Sequence, residues 1–79
     1  SDDDILKNYP LTYDNVWKKC KEEIKGFKKD NQFQNLINSI QNDLEYCYIR
    51  KFYLEKSKSG ATKRYTNKTI DYIKTNYIS

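Results

Sequence analysis

Apolar residues recur along this chain at two periods, and where the period changes decides the fold. Val16, Trp17, Cys20, Ile24 and Phe27 fall three or four apart, with lysines and glutamates between them. That spacing gives one apolar stripe on an amphipathic helix. Thr12 is placed to cap this helix, with Asp14 in its first turn, and Leu11 and Val16 have the spacing of a hydrophobic staple. Gly26, Lys28 and Lys29 mark its end. A second stripe follows in Phe33, Leu36, Ile37 and Ile40, with Asn31 and Gln34 in a capping-box pattern. Asn42 and Asp43 then favour a break, because both side chains compete for backbone hydrogen bonds.

The stretch 44–66 reads in two ways. Leu44, Cys47, Tyr48 and Phe52 keep helical spacing. Yet Tyr46, Cys47, Tyr48, Ile49, Phe52 and Tyr53 are rich in strand-forming types. Ser57, Lys58, Ser59 and Gly60 suit a four-residue hairpin connection, after which 61–66 would be the return strand. The strand reading leads. It predicts an α+β domain in the order helix, helix, strand, strand, helix, with an all-α three-helix bundle as the alternative. The last helix is expected from about Asn67, with Thr66 or Asn67 as its cap and Ile70, Ile73 and Tyr77 on one face. Residues 1–10 read as a flexible lead-in, with an acidic run at Asp2, Asp3 and Asp4 and with Pro10 closing it. Residues 11–79 form the domain.

Composition narrows the possible functions. Seventy-nine residues make one small domain with little true interior, so Trp17, the three phenylalanines and several of the eight tyrosines must supply much of the core. The chain has no histidine and two cysteines, Cys20 and Cys47, whose spacing matches no zinc, redox or haem motif. They read as small buried hydrophobes of a reducing compartment. No nucleophile motif or phosphate-cradling glycine loop occurs, and Glu22 and Glu23, adjacent on a helix, diverge. The expectation is a non-enzyme without cofactor, metal or small-molecule substrate. No run approaches a membrane span and no signal peptide opens the chain, so a cytoplasmic location is expected. Asn67, Lys68 and Thr69 form a glycosylation sequon that nothing else in the sequence supports.

The net charge is +4, with the acidic residues front-loaded at Asp2, Asp3 and Asp4 and the balance basic from Arg50 to Lys74. Arg50, Lys51, Lys56, Lys58, Lys63, Arg64 and Lys68 fall in or beside the expected hairpin, interleaved with Tyr48, Phe52, Tyr53 and Tyr65. Cations neutralise phosphates and aromatic faces stack on unpaired bases. On a hairpin, eight of them, Arg50, Lys51, Tyr53, Lys58, Lys63, Arg64, Tyr65 and Lys68, would make a single-stranded nucleic-acid surface. Trp17, flanked by Lys18 and Lys21, is the candidate anchor for a protein partner.

Trp17, Lys18, Lys19 and Cys20, followed by Phe33, Gln34, Asn35, Leu36 and Ile37, carry a resemblance to the N-terminal, KH-like domain of the bacterial replication initiator DnaA. A Trp early in helix one, a Phe about sixteen residues later and an apolar pair just beyond it resemble that family. So does a last helix ending in Tyr77 and Ile78. The chain departs from it in having Leu36 where the family has Trp, in a longer and more basic hairpin, and in lacking the Pro before the last helix. The resemblance implies a role in DNA replication, docking to a replication factor with weak DNA binding. The rival reading is a purely protein-binding helical interaction domain of a larger protein.

Overall fold

The structure is a computed structural model that describes residues 1–9, 13–56 and 61–78, the side chains of Tyr13 and Ala61 excepted. Five helices follow one another: α1 (Asp2–Asn8), α2 (Tyr13–Glu23), α3 (Asp30–Ile40), α4 (Leu44–Lys56) and α5 (Ala61–Asn76). No strand occurs among the described residues. The α+β expectation is therefore overturned in favour of an all-helical fold, and the KH-like reading falls with it. The DNA-binding and DNA-replication readings lose the hairpin they were built on.

The strand prediction fails for a physical reason. As a strand, 46–53 would alternate its side chains between two faces and need a sheet partner, and a lone two-stranded hairpin is marginal in water. As a helix, the same residues gather Tyr46, Cys47 and Arg50 on one buried side. Leu44, Glu45, Arg50, Lys51, Leu54, Glu55 and Lys56 are also good helix formers. Strand propensity measures fit to a pleated, half-buried surface, and here no such surface forms. Residues 61–66, expected as the return strand, are the first turns of α5. The expected connection at 57–60, the Thr12 cap and the Leu11 staple lie outside the described residues.

Residues Asp2–Asn8, read from the sequence as a lead-in, form a helix. The Ser1 hydroxyl accepts from the Asp4 backbone N–H and donates to Asp4 Oδ2 at 2.9 Å. This short helix packs on α4. Tyr48 donates its hydroxyl to Asp2 at 3.0 Å, and Tyr9 donates to Glu55 at 2.6 Å. The two helices therefore run in the same direction.

Val16, Cys20, Ile24 and Phe27 of the first stripe are buried and Trp17 partly so, and Gly26 with φ +81 turns the chain after α2. α3 begins slightly earlier than the sequence suggests. Gln32, rather than Gln34, closes its start by accepting from the backbone N–H groups of Lys28 and Lys29, each at 3.2 Å. Asp43 caps α4, its Oδ1 accepting from the Tyr46 N–H at 3.2 Å.

The core joins Val16 and Cys20 of α2 and Ile24 just beyond it to Phe33, Leu36, Ile37 and Ile40 of α3, Tyr46 of α4, and Tyr65, Ile70 and Ile73 of α5. Thr66 and Thr69 are buried too, which is tolerable because their hydroxyls donate to the carbonyls of Thr62 and Tyr65, both at 2.8 Å. α4 and α5 pack antiparallel. α2 and α5 run parallel, with Lys74 and Glu23 paired at 3.1 Å at their C-terminal ends.

Candidate docking surface

The eight residues expected to form one basic aromatic surface are dispersed. Arg50 is buried at 1% exposure, with its guanidinium over the Tyr46 ring at 5.2 Å and Nη2 donating to Cys47 Sγ. Tyr65 is also in the core. Neither can touch a nucleic acid without unfolding the domain. Lys63 lies on the α2 side of α5, and Arg64 is exposed. Lys51 sits half-buried beside α1. Tyr53 and Lys68 do come together, Lys68 Nζ lying 5.7 Å from the Tyr53 ring centre. Lys58 lies outside the described residues.

Trp17 is a core-edge residue. Its ring packs 4.8 Å from Phe33 and 6.2 Å from Phe27, the latter edge-on at 68°. Lys21 lies over the remaining ring face at 4.9 Å. Lys18 is on a different side of α2, facing α5. Trp17, Lys18 and Lys21 therefore do not form one partner-binding patch.

The surface that emerges instead is the outer side of α4. Its inner side carries Tyr46, Cys47 and Arg50 into the body. Four residues after Tyr48 stands Phe52, so both project to the same outer side. They remain 49% and 56% exposed, values unusual for such large apolar side chains. Phe52 meets the edge of the Tyr53 ring at 5.6 Å and 86°. The three aromatics form a ridge with a concavity on either side.

On one side, a cleft of about 400 Å³ separates α4 from α1 and is lined by Asp2, Ile5, Tyr9, Tyr48, Lys51 and Glu55. On the other, a groove of about 400 Å³ separates α4 from α5, with Ile49, Tyr53 and Tyr72 at its floor and Glu45, Lys68 and Asp71 at its rim. The rim thus mixes both charge signs around an aromatic centre. The hydrogen bond to Asp2 holds the Tyr48 hydroxyl neutral above the ordinary tyrosine range, and that to Glu55 does the same for Tyr9.

Sequence reasoning placed Tyr48 and Phe52 among the aromatics of a basic hairpin and not as a pair on the outer side of a helix. Their i, i+4 spacing was visible, but it points outward only once 44–56 is read as a helix with Tyr46 and Arg50 turned in. Among the described residues no three of Cys, Asp and Glu converge as a metal site requires. Both cysteines are free and buried, and burial pushes the Cys20 thiol up to about 11. No helix among the described residues is long and apolar enough to cross a membrane. No family model matches the chain, and no curated protein or solved structure matches it either.

Proposed function

We propose that the chain is a non-catalytic helical interaction domain that docks another protein on the outer side of α4. The observation that carries this reading is Phe52, more than half exposed on a helix whose opposite side is already committed to the core. Leaving Phe52 56% exposed to water forgoes roughly 1–1.5 kcal/mol of burial. A partner that covers it recovers that energy. Aromatic side chains at the centre of a patch with a polar rim are the usual anchors of protein interfaces. Glu45, Lys51, Glu55 and Lys56 surround the ridge, so the partner must present both charge signs and an apolar seat. Two free thiols suit a reducing cytoplasm, where we place the domain.

Photo-crosslinking tests the reading. A benzoylphenylalanine at position 52, in cells that make the protein, is expected to give a discrete adduct with one partner. The same group at Asn38, on the exposed side of α3, should give none. Tyr48→Ser in the same chain should diminish the position-52 adduct. Equal adducts from both positions, or none at 52, contradict the proposal.

A further inference from the structure

A second surface lies on the far side of α5 from the ridge. α2 and α5 run side by side and leave a groove of about 490 Å³ between them. Lys18 and Lys19 line the α2 wall and Lys63 the α5 wall. Lys19 is occupied, since its Nζ reaches Glu23 at 3.1 Å, and Glu23 is shared with Lys74 at the same distance. Those two cations hold the Glu23 carboxyl below the ordinary glutamate range, Lys74 first. Lys18 and Lys63 are different. Neither forms an ion pair among the described residues, and the only carboxylate in the groove is Glu22, which pairs with neither. Two unpaired ammonium groups thus stand on opposite walls of one concavity. The first turn of α5 adds no carboxylate to offset them.

We infer that the groove between α2 and α5 receives a short acidic segment of a partner protein, with Lys18 and Lys63 clasping carboxylates from its two walls. The dimensions favour a peptide over a single small anion. Its volume is in the range of sites for multi-atom ligands. The α2 wall from Asn15 to Glu22 is about 10 Å long, which matches about three extended residues. Asn15 and Asn67 line opposite walls and offer both donors and acceptors, as a peptide backbone requires. No aromatic side chain lines the groove, so it offers no platform for stacking unpaired bases. Charge complementarity selects an acidic segment, and the length of the α2 wall suits about three of its residues in extended form.

The test is fluorescence anisotropy with a labelled peptide of alternating Asp and Glu, about eight residues long, so that it overhangs the groove at both ends. Binding is expected at low ionic strength and should weaken as salt rises. The double variant Lys18→Glu with Lys63→Glu should weaken it about tenfold. The neutral pair Lys18→Gln with Lys63→Gln should weaken it by a smaller factor. Reversing two exposed lysines elsewhere, Lys7→Glu with Lys25→Glu, makes the same change in net charge and should change affinity by less than about twofold. Phe52→Ser should leave it unchanged, which separates this site from the ridge on α4. No binding at low salt, or equal losses from the groove pair and the distant pair, overturns the inference. So does tighter binding of an oligothymidine of equal charge through the same two lysines.

Discussion

Tyr77 donates its hydroxyl to Asp43 Oδ2 at 2.6 Å, joining the C-terminal end of α5 to the N-terminal cap of α4. Tyr72 donates to the same oxygen at 2.7 Å, while Oδ1 caps α4. Burial acts to raise the Asp43 carboxyl, but these hydroxyls and the backbone N–H groups of Tyr46 and Glu45 outweigh it and hold it below the ordinary aspartate range. Burial first, then the bond to Asp43, pushes the Tyr77 hydroxyl up to about 12. One carboxylate thus serves as helix cap and as the clasp of the α4–α5 pair.

Asp43→Ala should therefore cost about 2–3 kcal/mol, the sum of a lost cap and two unpartnered hydroxyls, measured by urea unfolding. The pH dependence follows from the sign of the shift. A depressed carboxyl contributes stability that is present above its unfolded value of about 3.9 and is lost as pH falls through the lower folded value. Asp43→Asn, which keeps a capping side chain, should lose less and should flatten the acid limb of the stability profile. An acid limb identical to the parent's contradicts the role given to Asp43.

Arg50 should be dispensable to the fold. Its Nε and Nη1 have no hydrogen-bond partner among the described residues, and no carboxylate is paired with it. A buried charge without a counter-charge is costly, and a flexible apolar side chain of similar length can fill the same space. Arg50→Met is expected to stabilise the domain by about 1 kcal/mol, a rise of roughly 4–8 °C in melting temperature. A loss of more than about 1 kcal/mol would mean that the guanidinium has a partner that stabilises it.

The helical half of the fold was legible in the sequence. The stripes Val16, Cys20, Ile24 and Phe33, Leu36, Ile37, Ile40 are the core, and Asn42 and Asp43 break the chain where α3 gives way to α4. What misled was the residue 44–56 segment. It has apolar or aromatic residues on every side, so no clean period identifies it, and its tyrosines and isoleucine carry strand preference. Only the packing partners decide: α5 takes Tyr46, Ile49 and Tyr53, while α1 takes Tyr48. The short helix α1 was illegible for a related reason. Its acidic run reads as a solvated tail, and its order comes from the Ser1 cap and from Tyr48 and Glu55, distant in sequence. The basic surface was misjudged because Arg50 and Tyr65 look exposed in a hairpin and are internal in helices.

The thiols offer a simple check on packing. Cys20 and Cys47 are both 0% exposed, and the raised Cys20 value leaves almost no thiolate near neutrality. Neither should react with a thiol reagent on the native protein, and both should react together on unfolding. Rapid modification of Cys20 under native conditions contradicts the placement of α2 against the body.

Core truncation sets the scale for the other variants. Ile37 is 1% exposed at the centre of the α3 stripe, so Ile37→Ala should cost about 2–5 kcal/mol in urea unfolding. Against the thin margin of a domain this small, that approaches loss of the fold. Phe52→Ser, on the ridge, should change stability by less than about 0.5 kcal/mol.

The central claim is that residues 44–56 are a helix that turns Tyr46 inward and presents Phe52 outward. The measurement that tests it most directly is an aromatic NMR spectrum recorded with and without a soluble paramagnetic agent. The ring signals of Phe52 should be strongly attenuated and those of Tyr46 spared, as their exposures of 56% and 1% require. In a strand, where side chains alternate, Tyr46 and Phe52 would share one face, and both signals would be attenuated or both spared. Equal attenuation would contradict the helix, the ridge and the docking function proposed for it.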